Sequence, residues 1–278
     1  DIIIAENMRS ASDFIRDKLV KYLPETYPID KLVGLVETSI GKMVPLMTAE
    51  DLENDPLMVF AEPYNNLILD KNGFKGDIPL VKGLSPKENI KAWVDRKAFI
   101  HNLGHATAAY YGFYKHPDAT YINEVLRDEE VYHFTKSVML QAALVLQSVY
   151  PEDFTSEDLE AHVEDLLSRF QNKALRDTIF RVGQDIPRKL GPDDRFVGII
   201  RLAVSHGMEY GKFLEAMSYA FFFEATDENG LKSNSDKWFD RILINGLQYT
   251  FEHVCGFDLV KDKKIMEELK SYCFELMV

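Results

Sequence analysis

Asp95-Arg96-Lys97-Ala98-Phe99-Ile100-His101-Asn102-Leu103-Gly104-His105 is the stretch on which the reading of this chain turns. Its apolar residues, at 99, 100 and 103, have the spacing of a helix with one buried side, and the pattern predicts a long helix over 87–113. On an α-helix each residue advances by about 100°, so with Lys97 at zero His101 falls near roughly 40°, His105 near 80° and Asn102 near 140°. Four polar side chains thus share one arc, while Phe99, Ile100, Leu103 and Ala109 fill much of the rest. Polar groups so placed are costly to bury unless they face a cleft or one another. Gly104 lies close to the Lys97 direction, where it predicts an open approach.

Outward from this window, almost everything downstream reads as helix. The periodicity predicts helices over 119–149, 156–170, 196–206, 212–224, 235–254 and 261–276, the second of these opening on a capping box from Thr155 to Asp158. Phe221 to Phe223 read as core. Upstream the pattern changes. Ile2 to Ala5 has the length and β-branched content of a buried parallel strand, followed by a helix over 10–23 and strand-like segments at 32–44 and 57–70. Gly73, Gly76, Pro79, Gly83 and Pro86 punctuate the stretch 72–86, which marks a boundary. The expectation is a mainly α protein: a multi-helical C-terminal substrate domain, 86–278, preceded by the last strands and a helix of a Rossmann-type α/β domain, 1–85. A buried parallel strand at the start needs neighbours on both sides, which predicts that the natural protein begins further upstream.

The 278 residues are 46% hydrophobic and 28% charged, the balance of an ordinary globular protein. A net charge of −13 argues against nucleic acid or an anionic membrane as partner. Cys255 and Cys273 have no CxxC spacing and read as reduced thiols. No apolar run approaches the ~20 residues of a membrane helix, and the expectation is a cytoplasmic protein.

The polar arc suits oxidation of a secondary alcohol. A desolvated lysine has a depressed pKa and can serve as general base toward a hydroxyl. Asn102 offers an amide N–H to an oxygen that becomes alkoxide and then carbonyl, and His105 can fix a neighbouring hydroxyl. The same spacing is compatible with a solvated lysine beside a buried His and Asn. His101 and His105 also stand four apart, as two zinc ligands on one helix face would, but position 102 is Asn where a zinc protease needs Glu. Further on, Arg181, Arg188, Lys189 and Arg195 crowd a short segment of an acidic chain. Forked guanidinium donors match a phosphate; equally, Asp177, Asp185, Asp193 and Asp194 are at hand to pair with them.

The window resembles the signature of the long-chain mannitol dehydrogenase family, a Lys followed by Asn at +5 and His at +8. Ile4-Ala5-Glu6-Asn7-Met8 resembles the family's last nucleotide-domain strand with its acidic-Asn pair. Val33–Pro45 is similar to its valine-rich strand, and Lys71–Gly76 to the loop before the signature. The stretch 169–195, RFQNKALRDTIFRVGQDIPRKLGPDDR, is similar to the mannitol-1-phosphate 5-dehydrogenase branch. Lys42 stands where the family has Arg, His101 is not typical of it, and the last ~50 residues match only loosely.

The resemblance implies an oxidoreductase acting on a polyol, with Lys97 as general base, Asn102 and Asn7 stabilising the oxygen, His105 orienting substrate, and no metal. It implies an NAD cofactor, before NADP, on a Rossmann domain, with Asn7 beside it. No GxGxxG occurs in this sequence, so roughly 100 further residues of βαβ units are expected upstream in the intact protein. It implies interconversion of mannitol 1-phosphate and fructose 6-phosphate, with Arg188, Lys189 and Arg181 toward the substrate. Partners would be a small sugar phosphate or polyol, with neither nucleic acid nor membrane, in a monomer or small homo-oligomer. Hexuronate reductase, mannitol 2-dehydrogenase and a non-catalytic helical interaction module are the rival readings.

Overall fold

Strand β1 (Ile2–Ile4) forms at the head of the chain, but it is not buried on both faces as its composition suggests. Ile2 and Ile3 are each 44% exposed and only Ile4 is covered, because β1 lies at the edge of its sheet among the described residues. The computed structural model describes residues 1–6, 8–45 and 47–277. They divide into two units, Asp1–Lys97 and Ala98–Val278.

In the first unit β1 leads into α1 (Ala11–Val20) and the short α2 (Ile29–Leu32). Strand β2 (Leu35–Ser39) then pairs parallel to β1, with Ile3 opposite Val36. It is much shorter than the apolar segment 32–44, and its second half is polar. Those buried polar groups are satisfied: Ser12 donates to Glu37, Thr38 Oγ1 to the Ile4 carbonyl at 2.7 Å, and Ser39 Oγ to the Trp93 carbonyl at 3.0 Å.

After α3 (Ala49–Asn54), capped by Thr48 and Asp51 in a reciprocal box, the chain crosses the expected strand 57–70, only the end of which, β3 (Leu67–Asp70), is a strand. Leu57 and Val59 are exposed, so half of that apolar run packs on nothing in this unit. Strand β3 runs antiparallel to β2, and β4 (Leu84–Lys87) runs parallel to β3, giving the order β1-β2-β3-β4. The Gly/Pro stretch read as a boundary therefore contains a strand. Pro86 is tolerated because β4 is an edge, and Gly83, at φ 95°, supplies the turn that a side chain would strain. Helix α4 (Ile90–Arg96) follows, with Asp95 fully buried and held by Arg9 at 2.7 Å.

The second unit is helical. The expected helix 87–113 is helical without a break from Ile90 to Lys115, ending in α5 (Leu103–Lys115), which is buried from Leu103 to Gly112 save for His105. The expected helix 119–149 is two, α6 (Ile122–Val125) and α7 (Glu129–Val149). Asp128 divides them, accepting from the backbone N–H groups of Glu130 and Val131 as a new N-cap. Helix α8 (Ser156–Phe170) matches its expected bounds, with Thr155 accepting from Asp158 N–H.

Then come α9 (Ile179–Gly183), α10 (Ile186–Lys189), α11 (Val197–Ser205) and α12 (Gly211–Ser218), whose last turn tightens to a 3₁₀ segment at Tyr219–Phe222. Phe221 and Phe223 are core, as their sequence context suggests. The expected helix 235–254 breaks into α13 (Asn234–Leu243) and α14 (Leu247–His253), with Gly246 at φ 96° between them. Helix α15 (Lys263–Glu275) closes the chain.

Gly104 proves to be a packing position. A Cβ there would run into Met139 Sδ, so α5 and α7 approach at this glycine and no ligand is needed to explain it.

Candidate active site

The signature window is not a plain α-helix. Between α4 and α5, Lys97–Asn102 forms a π-helical turn. Hydrogen bonds closing i→i+5 widen the turn, advancing each residue by roughly 82°, so Asn102 stands about 50° from Lys97 on the helix wheel instead of 140°. His105, three α-helical steps further on, then falls within about 10° of Lys97. Lys97, Asn102 and His105 thus share a tighter arc than the sequence implied. Wide turns of this kind are concentrated at functional sites because they re-aim side chains without ending the helix.

Asn102 is anchored through its backbone, whose carbonyl accepts from Arg195 Nη1 at 3.3 Å. Among the described residues no protein group takes up its side-chain amide, leaving that donor and acceptor for a ligand. His105 stacks on Phe170 of α8, with ring centroids 4.5 Å apart. Its Nε2 lies 3.2 Å from Asp177 Oδ2. The other oxygen of Asp177 takes the guanidinium of Arg181, one helical turn on.

Burial, and after it the charges of Arg181, Arg195 and Lys189, press the His105 imidazole well below its ordinary range. Asp177 acts in the opposite sense, but three cations in a desolvated setting keep the ring neutral near pH 7. Three buried polar atoms in this cluster have no hydrogen bond in proper geometry: His105 Nε2, Asp177 Oδ2 and Arg181 Nε. Unsatisfied buried polar atoms cost stability, and a polyhydroxylated ligand could supply what they lack.

The remaining basic residues read from the sequence are committed elsewhere in the unit. Arg188 Nη1 reaches Asp194 at 3.2 Å, and its Nε donates to Asp185 at 2.5 Å. Lys189 is buried and donates to the Gln184 carbonyl. Burial, then Arg195 and Arg188, push its ammonium down to about 7. Burial works to raise the Asp194 carboxyl, but Arg195 and Arg188 more than offset it and hold it below its usual value.

The left-handed Asp185, φ 66°, is steadied by buried Asp236, which accepts from the Ile186 N–H at 2.8 Å. The structure thus joins His105 and Arg181 through Asp177, ties the Asn102 backbone to Arg195, and leaves Arg188 and Lys189 in a neighbouring ionic network. Asn7 lies outside the described residues. Asp177 and Phe170 do not stand out in the sequence as site residues; the only signal is the four-residue spacing of Asp177 and Arg181.

His101 is buried with its ring 5.6 Å from Phe170, and among the described residues no group of three His, Cys, Asp or Glu could hold a metal.

A family model described as the mannitol dehydrogenase C-terminal domain matches residues 89–250, and one described as the mannitol dehydrogenase Rossmann domain matches residues 1–83. The chain belongs to the mannitol dehydrogenase family. Similar members include the mannitol-1-phosphate 5-dehydrogenases of Lactococcus lactis subsp. cremoris strains SK11 and MG1363. They are 31% and 30% identical over 272 residues, 97% of this chain and 67% of theirs.

Among solved structures, mannitol 2-dehydrogenase of Pseudomonas fluorescens, in ternary complex with NAD and D-mannitol, superposes with a TM-score of 0.71 at 17% identity. A D-sorbitol dehydrogenase superposes with a TM-score of 0.66 at 16% identity. Each match covers 96% of this chain and 56% of the other, and at such identity it speaks for the fold alone. The chain spans little more than half the length of those two structures.

Proposed function

We propose that the protein is a polyol dehydrogenase that interconverts a hexitol 1-phosphate, mannitol 1-phosphate, and its ketose phosphate, fructose 6-phosphate, with NAD and without a metal. The observation that carries this reading is the cluster around His105, where three buried polar atoms lack hydrogen bonds among the described residues, on the same helical stretch as Asn102. Hydroxyl groups, each both donor and acceptor, suit such a set.

In this reading Lys97, half-buried in the π turn, takes the proton from the reacting hydroxyl. The Asn102 amide donates to the oxygen as it gains charge, which matters most in the transition state. His105 and Arg181 hold hydroxyls beside the reacting carbon, and that orientation supplies part of the rate. A dinucleotide needs glycines that let the backbone approach its pyrophosphate. These 278 residues contain no GxGxxG, so they do not by themselves fit that half of the cofactor.

One observation favours an unphosphorylated polyol as a second reading: Arg188 spends its guanidinium on Asp185 and Asp194. The test is NADH formation by the natural full-length protein on mannitol 1-phosphate and on mannitol, run in parallel. Preference for the phosphate supports the first reading, preference for mannitol the second, and inactivity on both overturns each.

A further inference from the structure

The geometry points to Asp177 as a positioning residue: it holds His105 as the Nε2–H tautomer, so that Nδ1 meets a ligand hydroxyl as a hydrogen-bond acceptor. The inference rests on the polyol reading for the nature of the ligand, but its first half concerns the protein alone.

A neutral imidazole carries its proton on one nitrogen, and the neighbour of the other nitrogen decides which. Phe170 fixes the plane of the His105 ring, the two rings lying 5° from parallel. Stacking cannot choose between the ring and its flipped form, which share that plane. Asp177 can. Its Oδ2 stands 3.2 Å from Nε2, and both atoms are buried. A lone pair on Nε2 would face a carboxylate at close range in a dry setting; a proton there faces an acceptor. The contact is within hydrogen-bonding distance but its angles are not those of a formed hydrogen bond.

Asp177 is itself built in. Its carboxylate is 6% exposed, and its other oxygen is taken by Arg181. Its backbone carbonyl accepts from Ile122 N–H at 2.9 Å, and the next residue but one, Ile179, donates to the Thr120 carbonyl at 2.8 Å. Thr178 between them caps α9, accepting from Arg181 N–H at 3.1 Å. The carboxylate is therefore pinned from both sides of its own residue, and a group that orients another must be rigid in this way. Arg181, Arg195 and Lys189 disfavour a second proton on the ring, so His105 would serve as an acceptor and not as an imidazolium donor.

The first experiment reads the imidazole directly, by ¹⁵N NMR of the histidine-labelled 278-residue chain, with His105 assigned from a His105→Gln variant. The expected wild-type signal is the Nε2–H tautomer. In Asp177→Asn the amide would give its oxygen to Arg181 and turn its NH₂ toward Nε2, so the expected signal moves to Nδ1–H. A wild-type Nδ1–H signal, or a tautomer indifferent to Asp177→Asn, overturns the assignment.

The second experiment uses active protein. Asp177→Asn should lower kcat/KM for the preferred polyol by about tenfold, the value of one hydrogen bond. It should leave unchanged the kcat/KM of a deoxy analogue lacking the contacted hydroxyl. His105→Asn should itself lower kcat/KM for that polyol, and adding Asp177→Asn to it should cause little further loss, because the imidazole that Asp177 positions is gone. Equal losses on both substrates would mean structural damage and sink the positioning role. If the wild type turns over no polyol, it is the proposed function that fails, and the tautomer measurement still decides the role of Asp177.

Discussion

The imidazole of His105 lies face to face on the ring of Phe170, with centroids 4.5 Å apart. The same phenyl ring stands 5.6 Å from His101, so one buried aromatic of α8 backs two histidines a helical turn apart. Its flat face and its volume are separable. Phe170→Ala should cost about 3–5 kcal/mol in urea denaturation, as large core truncations do. Phe170→Leu keeps most of the volume and should cost about 1.5 kcal/mol or less, yet it removes the flat support. The Leu variant should therefore stay folded and lose kcat/KM. A Leu variant with wild-type kinetics would show that the stack does nothing for His105.

Gly104 offers a test of packing on the same helix. A methyl group there runs into Met139 Sδ, and overpacking of this kind costs about 1–3 kcal/mol. Gly104→Ala should be destabilised to that extent, and Gly104→Ala with Met139→Ala should lose less than the sum of the two single changes. Strict additivity would mean that the glycine is there for another reason.

Lys189 ties stability to pH. Its ammonium titrates at about 7 in the folded protein, against an ordinary 10.5. Between those values the unfolded chain binds a proton that the folded chain lacks, so stability rises with pH across that window. Below it both states are protonated and the full cost of burying the charge is felt. Lys189→Met should therefore gain most over wild type at about pH 6, with the advantage shrinking toward pH 10. Denaturation curves across that range check it; a pH-independent difference refutes it.

Lys97→Ala should lower turnover by roughly 10²–10⁴-fold, the usual value of a positioned base, with the fold intact by circular dichroism. Dialysis against EDTA should leave wild-type turnover unchanged. Activity lost to the chelator and restored by zinc would revive a metal role for His101 and His105.

The basic network can be tested for phosphate. Replacing Arg188 and Lys189 by Gln should raise KM for mannitol 1-phosphate, each lost charge-assisted contact costing about 1.5–3 kcal/mol, and leave mannitol untouched. Because Arg188 is paired with Asp185 and Asp194, unchanged phosphate kinetics would assign the pair to the ionic network alone.

The helical character of the second unit is legible in the sequence because its signals are local. Thr155 and Asp158 announce α8, and its apolar spacing runs to Phe170 without a break. What does not show is whatever depends on distant partners. Asp128 reads as one more polar residue inside a helix, and only its side-chain bonds reveal that it caps the next one. Strand β4 hides among glycines and prolines because its pairing with Leu67–Asp70, not its composition, makes it a strand. Phe170, Asp177 and Arg195 gather around 102–105 from three separate segments, and no spacing in the chain records that. Lys97, Asn102 and His105, the proposed set, stand out in the sequence because they lie on one helical stretch.

The wide turn at Lys97–Asn102 also bears on how this stretch tolerates insertion and deletion. A π turn is an α-helix that has accepted one extra residue. Losing any single residue between 97 and 102 would let the helix close normally, and circular dichroism would register almost nothing. On the helix wheel Lys97 would scarcely move, since seven α-helical steps come to about 700° and the π turn with three α-helical steps to about 710°. A one-codon deletion within 98–101 should thus be tolerated better here than elsewhere in the helix, where it would swing the preceding positions by about 100°. The +5 and +8 spacing of the signature and the width of this single turn are therefore one feature, and +4 and +7 in a plain α-helix would present nearly the same arc.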